Sequence, residues 1–167
     1  MKLQIRKTVI AAMFAALACV MTMIIKIPSP LKGYINLGDC VVLTAGWILS
    51  PIFGFAAAGI GSALADIFSG YVLYAPATFV IKGLMALAAY FIYKNLQKKT
   101  GKLIAAVVSG LIAEIIMVAG YFVFEGFLYG FVASLVNIPA NAVQGAAGLI
   151  LGTALVNVFE RIGIKEA

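Results

Sequence analysis

The chain has no histidine, two cysteines and only six Asp or Glu among its 167 residues. Without imidazole, His-based catalysis is excluded and most transition-metal chemistry loses its commonest ligand. Cys19 and Cys40 both lie in or beside apolar segments, so neither a disulfide framework nor a zinc site has the ligands it needs. There is no P-loop, no Ser/His arrangement and no catalytic carboxylate pair in a soluble domain. The chain therefore cannot hydrolyse ATP by known chemistry, and no enzymatic activity, cofactor or metal is expected. Charge itself is scarce, at 11% of residues against about 25% in soluble domains.

What is abundant is apolar surface. Residues of the set AVILMFWYC make up 64% of the chain, more than a water-soluble globule of this size has interior to hide, whereas lipid solvates the excess directly. The net charge of +6 suggests nucleic acid at first, but in a membrane protein Lys and Arg mark the cytoplasmic side, and their placement favours topology. No nucleic-acid partner is expected. At about 20 residues per span, six spans use about 120 residues, and seven would be tight.

The first apolar stretch, 8–25, follows Lys2, Arg6 and Lys7 and ends at Lys26 before a breaker, Pro28-Ser29-Pro30. The run Ala16-Leu17-Ala18-Cys19 resembles a lipoprotein cleavage site. The Ala three residues before the cysteine and the length of the apolar run argue against cleavage. The next apolar block, 40–68, is too long for one span and is broken by Ser50-Pro51, which predicts a short helix over 39–49 and a full one over 51–68. Further spans are predicted at 77–93, 103–124 and 139–158. The expectation is an all-α membrane protein with six transmembrane helices in a single domain covering 1–167, both termini cytoplasmic. Nine of twelve basic residues then face the cytoplasm: Lys2, Arg6, Lys7, a loop holding Lys94, Lys98, Lys99 and Lys102, and the C-terminal Arg161 and Lys165. Lys26 and Lys32 fall outside, and Lys82 lies within the membrane.

Small residues form smooth helix faces: Ala11, Ala15, Ala18 and Thr22 on the first span, with Ala12, Ala16 and Cys19 beside them. The third span carries Gly54, Ala58, Gly61 and Ala65, and the last Gly145, Gly148 and Gly152. Internal packing is the plain reading of such stripes. Their number also points to a protein partner.

Asp66, Lys82 and Glu114 sit inside apolar segments, where each charge costs roughly 2.5 to 3.5 kcal/mol. Asp66 and Lys82 either neutralise each other structurally or serve a ligand, Asp66 then orienting the lysine; Glu114 is otherwise a buried protonated acid. Glu114, Tyr121 and Glu125 lie within about 20° of one helix direction, and Asn137, Asn141 and Gln144 share a face at the start of the last span. With Tyr74, these groups predict a pocket open to the outside for a small, polar, aromatic ligand.

Several segments together resemble the substrate-binding S component of an energy-coupling factor (ECF) vitamin transporter. They are the Ala-rich first helix, Ile35-Asn-Leu-Gly-Asp39, Ala65-Asp-Ile-Phe-Ser-Gly-Tyr71 through Tyr74-Ala-Pro-Ala-Thr-Phe79 to Ile81-Lys-Gly83, and Pro139-Ala-Asn141-Ala-Val-Gln144. The resemblance covers nearly the whole chain and implies a multi-pass protein of the bacterial cytoplasmic membrane. It further implies that the first-helix face (Ala11, Ala12, Ala15, Ala16) docks on a transmembrane coupling protein, that two separate ATPases power the cycle, and that the ligand site lies near the outer surface. The implied ligand is a vitamin or precursor, in the subgroup of riboflavin, pyridoxine and hydroxymethylpyrimidine carriers. The residues taken alone also fit a self-sufficient ion-coupled transporter or a noncatalytic membrane assembly subunit.

Overall fold

The computed structural model describes residues 2–31 and 33–161, without the side chains of residues 2, 3, 160 and 161. Lys32 and Lys165 lie outside the described residues, as do the side chains of Lys2 and Arg161.

Helix α1 (Lys2–Ile24) leads into a short antiparallel hairpin, β1 (Ile27–Pro28) and β2 (Tyr34–Ile35), paired Ile27 to Ile35 and Pro28 to Tyr34. Then come α2 (Asp39–Ile48), α3 (Pro51–Phe68), α4 (Ala75–Thr100), α5 (Lys102–Tyr129), a four-residue α6 (Phe131–Ser134) with a 3₁₀ turn (Leu135–Asn137), and α7 (Ile138–Arg161). Five stretches among the described residues are long and apolar enough to cross a membrane: 4–24, α3, α4, α5 and 131–159. Pro51 opens α3 at its first turn, where its missing N–H costs nothing, so the predicted break at Ser50-Pro51 is where the two helices part.

The predicted lysine loop is not a loop. Lys94, Lys98 and Lys99 continue α4 to Thr100, Lys102 begins α5, and Gly101 alone joins them at φ +83°. Nothing between Tyr93 and Gly101 breaks a helix, and the turn takes a left-handed backbone that glycine adopts without a Cβ penalty. Gly130, at φ +93°, makes the corresponding corner after α5.

Helix α2 spans only about 15 Å, half the hydrocarbon thickness. All ten of its residues are buried, against α1, α3, α4 and α7. Its first residue, Asp39, meets Lys82 and Gln144, each about 10 Å inside the start of its own helix. The hairpin thus dips into the bundle before α2 begins, which places the start of this ten-residue helix level with Lys82 and Gln144.

The smooth faces are met within the chain. A methyl group built on Gly61 would run into the carbonyl of Ala15 and the side chain of Ala18; one on Gly148 would sit 2.6 Å from Asp39 Cβ, and one on Gly152 3.2 Å from the Cys40 carbonyl. Close approach of backbones is what such residues permit. Ala11 and Ala18 are buried and Ala15 is half-buried, whereas Ala12 and Ala16 are exposed beside Val9, Met13 and Val20.

Candidate functional site

The hairpin end of the bundle collects the polar side chains. Tyr34, on β2, donates a 2.6 Å hydrogen bond to Asp66 Oδ1 near the end of α3. Glu125, near the end of α5, accepts at Oε1 from Asn137 Nδ2 (2.8 Å) and from the Tyr74 hydroxyl (3.3 Å). Burial, reinforced by the neighbouring carboxylates, pushes the hydroxyls of Tyr34 and Tyr74 above the ordinary tyrosine range. Both remain protonated donors. Asn137 Oδ1 in turn accepts the backbone N–H of Leu31, and Gln144 Oε1 accepts the backbone N–H (2.9 Å) and side-chain N–H (3.2 Å) of Asn36, so the 3₁₀ turn and α7 each hold the hairpin region at one point. Lys26 Nζ ties the end of α1 to the Ser69 hydroxyl after α3, at 3.0 Å.

These elements enclose a cavity of about 30 Å³, room for about two waters. Asp66, Tyr74, Tyr121, Asn141 and Gln144, all expected site residues, line it. So do Tyr34, Asn36 and Tyr71 from the loops, Thr78 from α4 and Glu125 from α5. The Tyr34 and Tyr71 rings meet at 4.7 Å, and the Thr78 and Tyr121 hydroxyls lie 3.0 Å apart.

Three expected site residues stand behind this wall. Asn137 reaches it only through its bond to Glu125. Lys82 lies 5.5 Å from the centroid of the Tyr121 ring, and its ion-pair partner is Asp39 rather than Asp66. The pairing with Asp39 follows from the recessed start of α2, which carries that carboxylate to the depth of Lys82, while Tyr34 occupies one oxygen of Asp66. Gln144 Nε2 donates to the other Asp39 oxygen at 2.7 Å. Glu114, 5% exposed, has no hydrogen-bond partner at either carboxyl oxygen among the described residues. It lies over Gly145 and Gly148 at the base of an apolar groove between α5 and α7.

Asn36, Tyr71 and Thr78 of the lining were not expected from the sequence, and neither were Asp39 and Tyr34. The last two lie in or just after a loop whose polarity looked ordinary, although Asp39 closes the Ile35-Asn-Leu-Gly-Asp39 motif. Glu125 shares a helix direction with Glu114 and Tyr121, and that periodicity was its available signal.

Two acceptor-rich carboxylates, three amides and four phenols around one small space suit a compact polar aromatic molecule. Comparison with known proteins gives the family. A family model described as ECF-type riboflavin transporter, S component, matches residues 2–161. An uncharacterized protein in the gap 3' region of Pyrococcus woesei is 34% identical over 146 residues, covering 86% of this chain and 95% of the relative. The thiamine precursor transporter HmpT of Lactococcus lactis subsp. cremoris (strain MG1363) is 26% identical over 163 residues, covering 96% and 91%. A solved structure of the S component of a bacterial ECF transporter shares the fold, with a TM-score of 0.72 at 23% identity over 95% of this chain and 98% of that one. The chain belongs to the family of ECF-type riboflavin transporter S components, the substrate-binding membrane subunits of vitamin transporters.

Proposed function

We propose that this chain captures a single-ring vitamin precursor, hydroxymethylpyrimidine or pyridoxine ahead of riboflavin, on the outer face of a bacterial cytoplasmic membrane. Delivery follows when the bundle reorients against a transmembrane coupling protein driven by two ATPase subunits. The observation that carries the choice of ligand is the size and lining of the cavity: about 30 Å³, walled by Tyr34, Tyr74 and Tyr121 with Asn141, Gln144 and Asp66. A single ring needs a small displacement of the hairpin, whereas the three fused rings of riboflavin need the wall itself to open. The likeness to a thiamine precursor transporter adds support.

For the coupling protein, the surface of α1 left over after packing on α3 is the candidate contact. It carries Ala12 and Ala16 at helical spacing among exposed Val9, Met13 and Val20, while Ala11 and Ala15 lie toward α3. The ligand reading is tested by titrating the purified chain with a panel of B vitamins and their precursors. One single-ring compound is expected to bind with a sub-micromolar Kd, well ahead of riboflavin. Absence of binding across the panel, or uptake into liposomes by this chain alone under a proton or sodium gradient, overturns the reading.

A further inference from the structure

Asp66 and Glu125 each present one oxygen that the protein leaves unused. Asp66 is 5% exposed and Glu125 2%, and both line the cavity. Tyr34 donates to Oδ1 of Asp66; Asn137 and Tyr74 donate to Oε1 of Glu125. Oδ2 and Oε2 are buried and have no hydrogen-bond partner among the described residues. A buried acceptor without a donor is costly, and native proteins keep few of them. Here two occur in the wall of one cavity, on different helices. No Lys or Arg lines that cavity among the described residues, and the one buried ammonium, Lys82, is engaged by Asp39 behind Tyr121.

Resting on the reading of this cavity as the vitamin site, we propose that it selects its ligand by N–H donors. The ligand class is a small amino-substituted aromatic heterocycle whose exocyclic amine N–H groups satisfy Asp66 Oδ2 and Glu125 Oε2. An exocyclic carbonyl at the same place would set oxygen against oxygen, and a site built to receive an N–H rejects the analogue that lacks it far more strongly than an apolar pocket rejects a missing methylene. Tyr34 and Tyr74 hold the two carboxylates in place by taking their other oxygens, and their rings, with Tyr71 and Tyr121, supply the faces for stacking.

The test compares 4-amino-5-hydroxymethyl-2-methylpyrimidine with its 4-oxo counterpart, equal in heavy atoms, by calorimetric titration of the full chain in detergent. Pyridoxine and riboflavin are titrated alongside. The amino compound is expected to bind at least 100-fold more tightly than the oxo compound. In Asp66→Asn and in Glu125→Gln, which offer an N–H where the carboxylate offers only acceptors, that ratio should fall below about tenfold. Equal binding of the two pyrimidines to the unaltered chain overturns the inference while leaving the vitamin site intact, and so does tighter binding of pyridoxine or riboflavin. A ratio unchanged in both variants overturns it as well. If none of the four compounds binds, the vitamin-site reading falls and the inference with it. The ratio on the unaltered chain needs no variant to fold.

Discussion

Lys82 and Asp39 are 2% and 0% exposed, and their ion pair is bounded by Gln144 on one side and the Tyr121 ring on the other. Removing one member of a buried pair strands the other charge, at a cost of about 3 to 5 kcal/mol. Lys82→Met is therefore expected to lower the melting temperature of the ligand-free protein by at least about 6 °C, with Asp39→Asn plus Lys82→Met recovering much of the loss. A melting temperature unchanged in Lys82→Met, together with a tenfold loss of ligand affinity, would return the lysine to the binding site. Glu114 gives the opposite expectation. Its carboxyl has no hydrogen-bond partner to lose among the described residues and does not line the polar cavity, so Glu114→Gln should keep ligand affinity within about twofold and leave thermal stability undiminished. The sequence made Lys82, Asp66 and Glu114 conspicuous because an ionisable group in an apolar run is costly. It did not show who pairs with whom, because Asp39 and Lys82 are 43 residues apart and meet only once the hairpin has dipped into the bundle.

Helix existence was legible from apolar run length and from the Ser50-Pro51 break, whereas helix ends were not. α4 continues through Lys94, Lys98 and Lys99 because these residues are good helix formers, and a charge count reads them as loop. Faces were harder still. The Ala11, Ala15, Ala18 and Thr22 stripe has a spacing suited to a partner helix, and it finds one in α3 of the same chain, where Gly61 receives it. Spacing alone cannot distinguish an internal neighbour from an external one. The two roles now separate by residue. Gly61→Leu should fail to accumulate as folded protein, since the side chain would enter the backbone of Ala15. Ala12→Trp, on the exposed side, should keep the fold and ligand binding but reduce recovery of the coupling protein in affinity purification by at least tenfold. Full recovery with Ala12→Trp would remove this face from the docking surface.

At the scale of the whole molecule, the helical bundle has two unlike ends. One carries the hairpin, the polar cavity, the α3–α4 connection and the α5–α7 corner, linked by the bonds from Lys26 to Ser69, Leu31 to Asn137 and Asn36 to Gln144. The other carries the turn at Gly101, with Lys102 lining the same crevice as Thr153 and Asn157 of α7. The division of charge predicts which end faces the cytoplasm. Lys94, Lys98, Lys99 and Lys102 cluster around Gly101, the N-terminal Lys and Arg begin α1, and among the described residues the hairpin end shows Lys26 as its one basic side chain. Positive residues are retained on the cytoplasmic side, so the Gly101 end should face inward and the cavity outward. Both native cysteines are buried, which keeps their background reaction low. Leu73→Cys, exposed between α3 and α4, should therefore react in intact cells with a membrane-impermeant maleimide, and Lys98→Cys should react only after the membrane is permeabilised. Labelling of Lys98→Cys from outside, with Leu73→Cys protected, would reverse the orientation and direct the proposed vitamin site to the cytoplasm, a geometry that no importer can use for capture.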